Sequence, residues 1–131
     1  MIAIIVADFN PEITGKMVKI AIQTAKRLDL NVVKIMHVPG SYDIPFAAKK
    51  ALMDKNVKGV VALGCIIQGE TYHDIVIAET AALKLADLSL EFNKPIGMGI
   101  IGPRVNEKAA KARAEEYAVR AVEAVKKLLF L

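Results

Sequence analysis

The sequence predicts an α/β fold: a four-stranded parallel sheet with helices on both faces. Three observations carry this prediction. Short aliphatic runs alternate with longer segments of helical periodicity, and the alternation occurs four times between Ile2 and Leu129. The first run is apolar at successive positions rather than at every second one, as a strand covered on both faces must be. At 131 residues the chain is long enough to bury a core without metals or disulfides, and residues 1–131 are expected to form a single domain.

Each element follows from local chemistry. Ile2 to Ala7 reads as the first strand. Asn10 can cap a helix, Pro11 suits its first position and Glu12 favours its positive end. In that helix Ile13, Met17, Ile20, Thr24 and Leu28 share one face, with Glu12, Lys16, Lys19, Gln23 and Arg27 on the other, up to about Asp29. Asn31 to Val38 is the second strand, stopped by the turn signal Pro39-Gly40. The next helix, Ile44 to about Asn56, has Pro45 in its first turn, Phe46, Ala47, Ala51 and Leu52 inward, and Lys49, Lys50 and Lys55 outward.

Lys58 to Leu63 is the third strand. A loop from Gly64 to His73 leads to a helix from about Asp74 to Phe92, whose one clear polar stripe is Thr80, Lys84, Asp87 and Glu91. A helix this apolar is buried on more than one side, which in a small domain points to a neighbouring subunit. Asn93-Lys94-Pro95 breaks it. Ile96 to Ile101 is the fourth strand, with two glycines that permit close backbone approach, and Gly102-Pro103 ends it. The last helix runs from about Val105 to Leu129 and carries acid–base pairs four residues apart, such as Glu107 with Lys111 and Glu116 with Arg120.

Composition narrows the function. Hydrophobic residues make up 54% of the chain and the mean hydropathy is +0.38, more apolar than one small core requires, so subunit contacts are expected. The net charge of +4 arises from 18 Lys and Arg scattered among 14 Asp and Glu, with four Phe, three Tyr and no Trp. Such dispersion offers neither a basic stripe nor a stacking platform, which argues against nucleic acid as a partner. No segment reaches the roughly 20 apolar residues that span a bilayer, so no membrane partner is expected. The Ile2–Ala7 run is too short for a signal peptide, and the single cysteine suits a reducing, cytoplasmic setting.

In open parallel α/β sheets ligands bind beyond the carboxyl ends of the strands. Four loops therefore converge on one edge: Asp8 to Asn10, Pro39 to Asp43, Gly64 to His73, and Gly102 to Arg104. Phe9 and Asn10 suit either a hydrophobic staple with a cap or an aromatic face for a planar heterocycle with an amide beside it. Ser41, Tyr42 and Asp43 suit either a capping segment or the recognition of a polyhydroxylated chain. Gly69, Glu70 and Thr71 lie just before a helix, where backbone N–H groups and the helix dipole attract phosphate. His73 is the natural acid–base group, and Asp74 could bias it. Cys65 reads as packing, because no oxyanion-hole motif accompanies it, and His37 reads as structural. Neither a dinucleotide nor a P-loop signature occurs, and the two histidines and one cysteine lack metal-ligand spacing.

The segments DFN (Asp8 to Asn10), PGSYDIP (Pro39 to Pro45) and ALGCIIQGETYHD (Ala62 to Asp74), in this order and spacing, resemble the lumazine synthase family over essentially the whole chain. The resemblance implies a flavodoxin-like three-layer sandwich. It also implies condensation of 5-amino-6-(D-ribitylamino)uracil with 3,4-dihydroxy-2-butanone 4-phosphate to 6,7-dimethyl-8-ribityllumazine, the penultimate riboflavin step, with no cofactor or metal. By the same resemblance, Phe9 stacks on the pyrimidine with Asn10 nearby, Ser41, Tyr42 and Asp43 hold the ribityl chain, and Ile66 and Ile67 offer backbone groups to the uracil edge. Gly69, Glu70 and Thr71 cradle the phosphate with Arg113 from the last helix, and His73 moves protons. Relatives form homo-oligomers, pentamers or pentamer-based shells, with sites at subunit interfaces, and Met98 stands where a neighbour's aromatic often lies.

Departures from the family pattern are local: Asp43 replaces a longer Glu, and Asp74 directly follows His73 where many relatives place an aromatic. An archaeal-type riboflavin synthase is the nearest alternative, and the intact GETYHD loop argues against it. A receiver-like domain would need an acidic pair after the first strand and an acceptor Asp after the third, where this chain has Gly64-Cys65. A non-catalytic shell protein would bind no ribitylaminouracil.

Overall fold

A computed structural model describes residues Met1–Leu131. Four strands, β1 (Ile2–Ala7), β2 (Val32–Val38), β3 (Gly59–Ile67) and β4 (Ile96–Val105), form one parallel sheet in the order β2-β1-β3-β4. Helices α1 (Pro11–Arg27), α2 (Ile44–Leu52), α3 (His73–Phe92) and α4 (Glu107–Leu129) connect and follow them, with a 3-10 turn at Ser41–Asp43. This is the three-layer α/β sandwich expected from the sequence.

The alternation of side chains along β1 divides the interior. Ile2, Ile4 and Val6 join Met17 of α1 and Ala118 and Val122 of α4 in one core. Ala3, Ile5 and Ala7 face the other way, against Ile44 and Leu52 of α2 and Leu85 of α3. Both faces of β1 are therefore sealed, which explains its unbroken aliphatic sequence. Against β4, α4 presents small side chains. Gly97 is what allows that approach: a Cβ there would lie 2.0 Å from the carbonyl oxygen of Ala121.

Several boundaries differ from the sequence reading. β3 continues through Gly64, Cys65 and Ile66 to Ile67, so the first four residues of the expected polar loop are strand. Gly64 is not a turn glycine; it makes room for Ser41, whose Oγ would stand 2.4 Å from a Cβ at position 64. β4 likewise does not stop at Gly102-Pro103 but resumes pairing, with Val105 opposite Ile67 after an irregularity. α2 ends at Leu52 rather than near Asn56, and α4 begins at Glu107, with Asn106 Oδ1 accepting the Ala109 N–H at 2.8 Å.

The order β2-β1-β3-β4 reverses direction between β1 and β3, so the connections leaving those two strands diverge to opposite faces. A crevice opens at that point, beyond the carboxyl ends of the strands. No helix is long and apolar enough to cross a membrane. α3 contributes only Asp74, Ala81 and Leu85 to the fully buried set, leaving Val76, Leu83 and Leu90 exposed, Leu90 by 82%.

Candidate functional site

A cleft of about 460 Å³ occupies the crevice, and three connections build its walls. The β1–α1 connection supplies Phe9. Its backbone is tied down on one side by the Asp8 and Phe9 N–H groups, which donate to the carbonyls of Val38 and Pro39 at 2.8 and 3.0 Å. On the other side Asn10 Nδ2 donates to the Cys65 carbonyl at 2.9 Å. Asn10 occupies the N-cap position of α1 but caps nothing with its side chain: its backbone is left-handed, φ 64°, and the amide reaches β3 instead. The Phe9 ring is left 71% exposed at the cleft, available to a planar ligand.

The second wall is the 3-10 turn. Ser41 is buried against Gly64, and Tyr42 projects into the open. The Asp43 carboxylate accepts the Gly40 N–H at 3.0 Å and so holds the turn closed. Both Ser41 and Tyr42 line the cleft, with Gly40 beside them.

The floor and third wall come from β3 and the start of α3. Cys65, Ile66 and Ile67 form the floor; Gly69, Thr71, His73, Asp74 and Ile77 close the far side. Thr71 Oγ1 accepts the His73 N–H at 3.2 Å and thereby starts α3. His73 lies at the positive end of a 20-residue helix, where an anion is favoured. Its imidazole is exposed and has no protein hydrogen-bond partner, leaving it free for a substrate.

Asp74 does not serve His73. It is 4% exposed, and both of its oxygens are taken by Arg104. Oδ2 accepts the Arg104 backbone N–H at 2.8 Å and Nε at 3.0 Å, while Oδ1 accepts Nη2. The Arg104 side-chain hydrogen bond is the main reason that the Asp74 carboxyl is held down at about 2; burial opposes this, and the backbone N–H groups of Arg104 and Ile75 reinforce it. The same pairing raises the Arg104 guanidinium above its ordinary value. Cys65 shows the reverse effect: burial pushes its thiol up to about 11, so it is neutral at neutral pH and suited to packing rather than attack.

The cleft thus brings together Phe9, Ser41, Tyr42, Ile66, Ile67, Gly69, Thr71 and His73 from the residues singled out in the sequence. Asn10 and Asp43 stand behind it, holding its loops. Glu70, Met98 and Arg113 lie outside it. Arg113 is on the exposed face of α4, 3.4 Å from Glu116, and Met98 is half-exposed on β4 near Leu90 and Tyr117. His37 pairs with Asp8 at 2.8 Å on the surface. Sequence reasoning gave Arg104 no role; its only signal was membership of the fourth loop at the sheet edge.

Comparison with known proteins follows the same line. A family model described as 6,7-dimethyl-8-ribityllumazine synthase matches residues 1–131. The chain is similar to proteins named 6,7-dimethyl-8-ribityllumazine synthase from three organisms. It is 47% identical to that of Staphylothermus marinus over 98% of this chain and 85% of the relative. It is 47% identical to that of Metallosphaera sedula over 97% and 84%, and 46% identical to that of Saccharolobus solfataricus over 98% and 83%.

Proposed function

From the premise that this chain belongs to the 6,7-dimethyl-8-ribityllumazine synthase family, we propose how its cleft carries out that synthesis. The protein is a transferase of riboflavin biosynthesis. It condenses 5-amino-6-(D-ribitylamino)uracil with 3,4-dihydroxy-2-butanone 4-phosphate, releasing phosphate and water. The observation that carries the reading is the convergence of an aromatic face, hydroxyl groups, a helix N-terminus and a free imidazole on one cleft.

The pyrimidine stacks on Phe9, with the backbone of Ile66 and Ile67 along its edge. That backbone lies at the irregularity between Cys65 and Ile67, where β3 runs out at the cleft floor. The ribityl chain runs over Ser41 and Tyr42, on a turn whose shape Asp43 maintains. Asn10 fixes the Phe9 loop against β3. The phosphate sits at the start of α3, held by the Gly69, Glu70 and Thr71 segment and the helix dipole. His73 accepts and returns protons as the amine attacks the ketone, as phosphate leaves and as the second ring closes. No protein group competes for its imidazole, which is therefore open to the substrate on both ring nitrogens.

The working unit in this reading is a cytoplasmic homo-oligomer, a pentamer or a pentamer-based shell, with sites at subunit interfaces. The exposed Val76, Leu83 and Leu90 of α3 support it, since covering each would contribute about 1.5–3 kcal/mol. Met98 and Arg113 then reach the cleft of an adjacent subunit, Arg113 toward the phosphate. Incubation with both substrates, followed by the absorbance and fluorescence of the lumazine, tests the function; no product at saturating substrate refutes it. Light scattering tests the assembly, and a monomer refutes the shared site.

A further inference from the structure

Arg104 holds more of the cleft wall than a surface ion pair would. Its side chain, 34% exposed, reaches back from β4 to three positions that bracket His73. Nη2 donates to the Thr71 carbonyl at 3.1 Å, the guanidinium lies 4.8 Å over the Tyr72 ring, and the backbone N–H, Nε and Nη2 all bind Asp74. His73 is the one residue of the four that it leaves untouched. The cost of this arrangement is visible in the backbone: Arg104 adopts a left-handed conformation, φ 59°, uncommon for a residue with a side chain. That conformation turns its N–H and its guanidinium toward the same carboxylate.

We propose that Arg104 is a positioning residue, which acts through Asp74, Thr71 and Tyr72 to fix the segment that aims Thr71 at the phosphate and His73 at the reacting carbons. The inference rests on the lumazine synthase reading of the cleft. It goes beyond that reading because Arg104 touches no proposed substrate position and makes its contacts only with the wall. The start of α3 has few other restraints: Thr71, Tyr72 and His73 are all exposed, and Asp74 is its first buried residue. The pair is also directional. A lysine would preserve the charge, but its single ammonium cannot occupy both carboxylate oxygens and the Thr71 carbonyl in the fork geometry of a guanidinium.

The test uses steady-state kinetics on the assembled protein for wild type, Arg104→Gln, Arg104→Gly, Arg104→Lys and Asp74→Asn. Glycine accepts the left-handed backbone and removes the side chain without strain, so Arg104→Gly decides the matter if Arg104→Gln fails to fold. Arg104→Gln, Arg104→Gly and Asp74→Asn should each lower kcat about tenfold or more. The KM for the ribitylaminouracil, whose proposed contacts are on the other walls, should stay within about twofold. Arg104→Lys should fall between these variants and wild type. The double variant Arg104→Gly with Asp74→Asn should be no slower than the slower single variant, because the two residues act as a unit. Wild-type kcat in a folded Arg104→Gly protein overturns the inference and leaves the function standing. An equal rise in both KM values with unchanged kcat also overturns it, since that marks general loosening. An inactive wild type overturns the function itself, and the inference with it.

Discussion

Gly64 and Ser41 are in mutual contact so close that no side chain fits between them: a Cβ at position 64 would stand 2.4 Å from Ser41 Oγ and 3.3 Å from Ile44 Cδ1. This contact seats the 3-10 turn on β3 and sets the depth of one wall of the cleft. Gly64→Ala should therefore destabilise the fold by about 1–3 kcal/mol, as overpacked interiors do, read as a lower urea midpoint with an unchanged m-value. It should also raise the KM for the ribitylaminouracil, because Ser41 and Tyr42 move with the turn.

Phe9 separates binding from stability. Its ring is 71% exposed and the surrounding loop is held by backbone bonds and Asn10, so Phe9→Ala should leave the thermal midpoint almost unchanged. Loss of an aromatic stacking partner costs about 0.5–1.5 kcal/mol beyond area burial, so affinity for the uracil substrate should fall about tenfold in equilibrium titration.

His73→Ala should reduce kcat by about 10²-fold or more, the usual scale for a general acid–base group. Binding of the ribitylaminouracil should persist. Unchanged turnover would remove the proton-transfer role.

The Asp74 carboxyl sets a pH dependence whose sign follows from its depressed value. Folding lowers it from 3.8 to about 2, so the ionised form is favoured in the native state. Its contribution is fully present above about pH 4 and is lost as pH falls through about 2. Asp74→Asn should flatten the stability–pH curve within that window and leave the neutral region parallel to wild type, as checked by urea unfolding at stepped pH.

Much of this architecture was legible because its causes are local. Four aliphatic runs, the Asn-Pro and Pro-Gly signals, and the spacing of Ile13, Met17 and Ile20 were enough to give the elements and the edge where the loops meet. The misread features at the site have distant causes. Asn10 looked like a helix cap, but its amide partner is Cys65, 55 residues away. Asp74 looked like a partner for its neighbour His73, but its charge is claimed by Arg104, 30 residues on. Gly64 looked like the start of a loop because glycine marks turns. In fact the strand runs through it, and the reason for glycine is a side chain on another segment.

α3 carries His73 at its first position and Leu90 near its last turn, 17 residues further along the same helix, or about 26 Å at 1.5 Å per residue. Such a rod transmits rotation about its own axis with little loss. In the proposed assembly, a surface covering Leu83 and Leu90 would add to the buried contacts of Asp74, Ala81 and Leu85 in setting the azimuth of the helix, and with it the bearing of the imidazole at the far end. A subunit released from that assembly into solution would lose both the alignment and the Met98 and Arg113 of its neighbour.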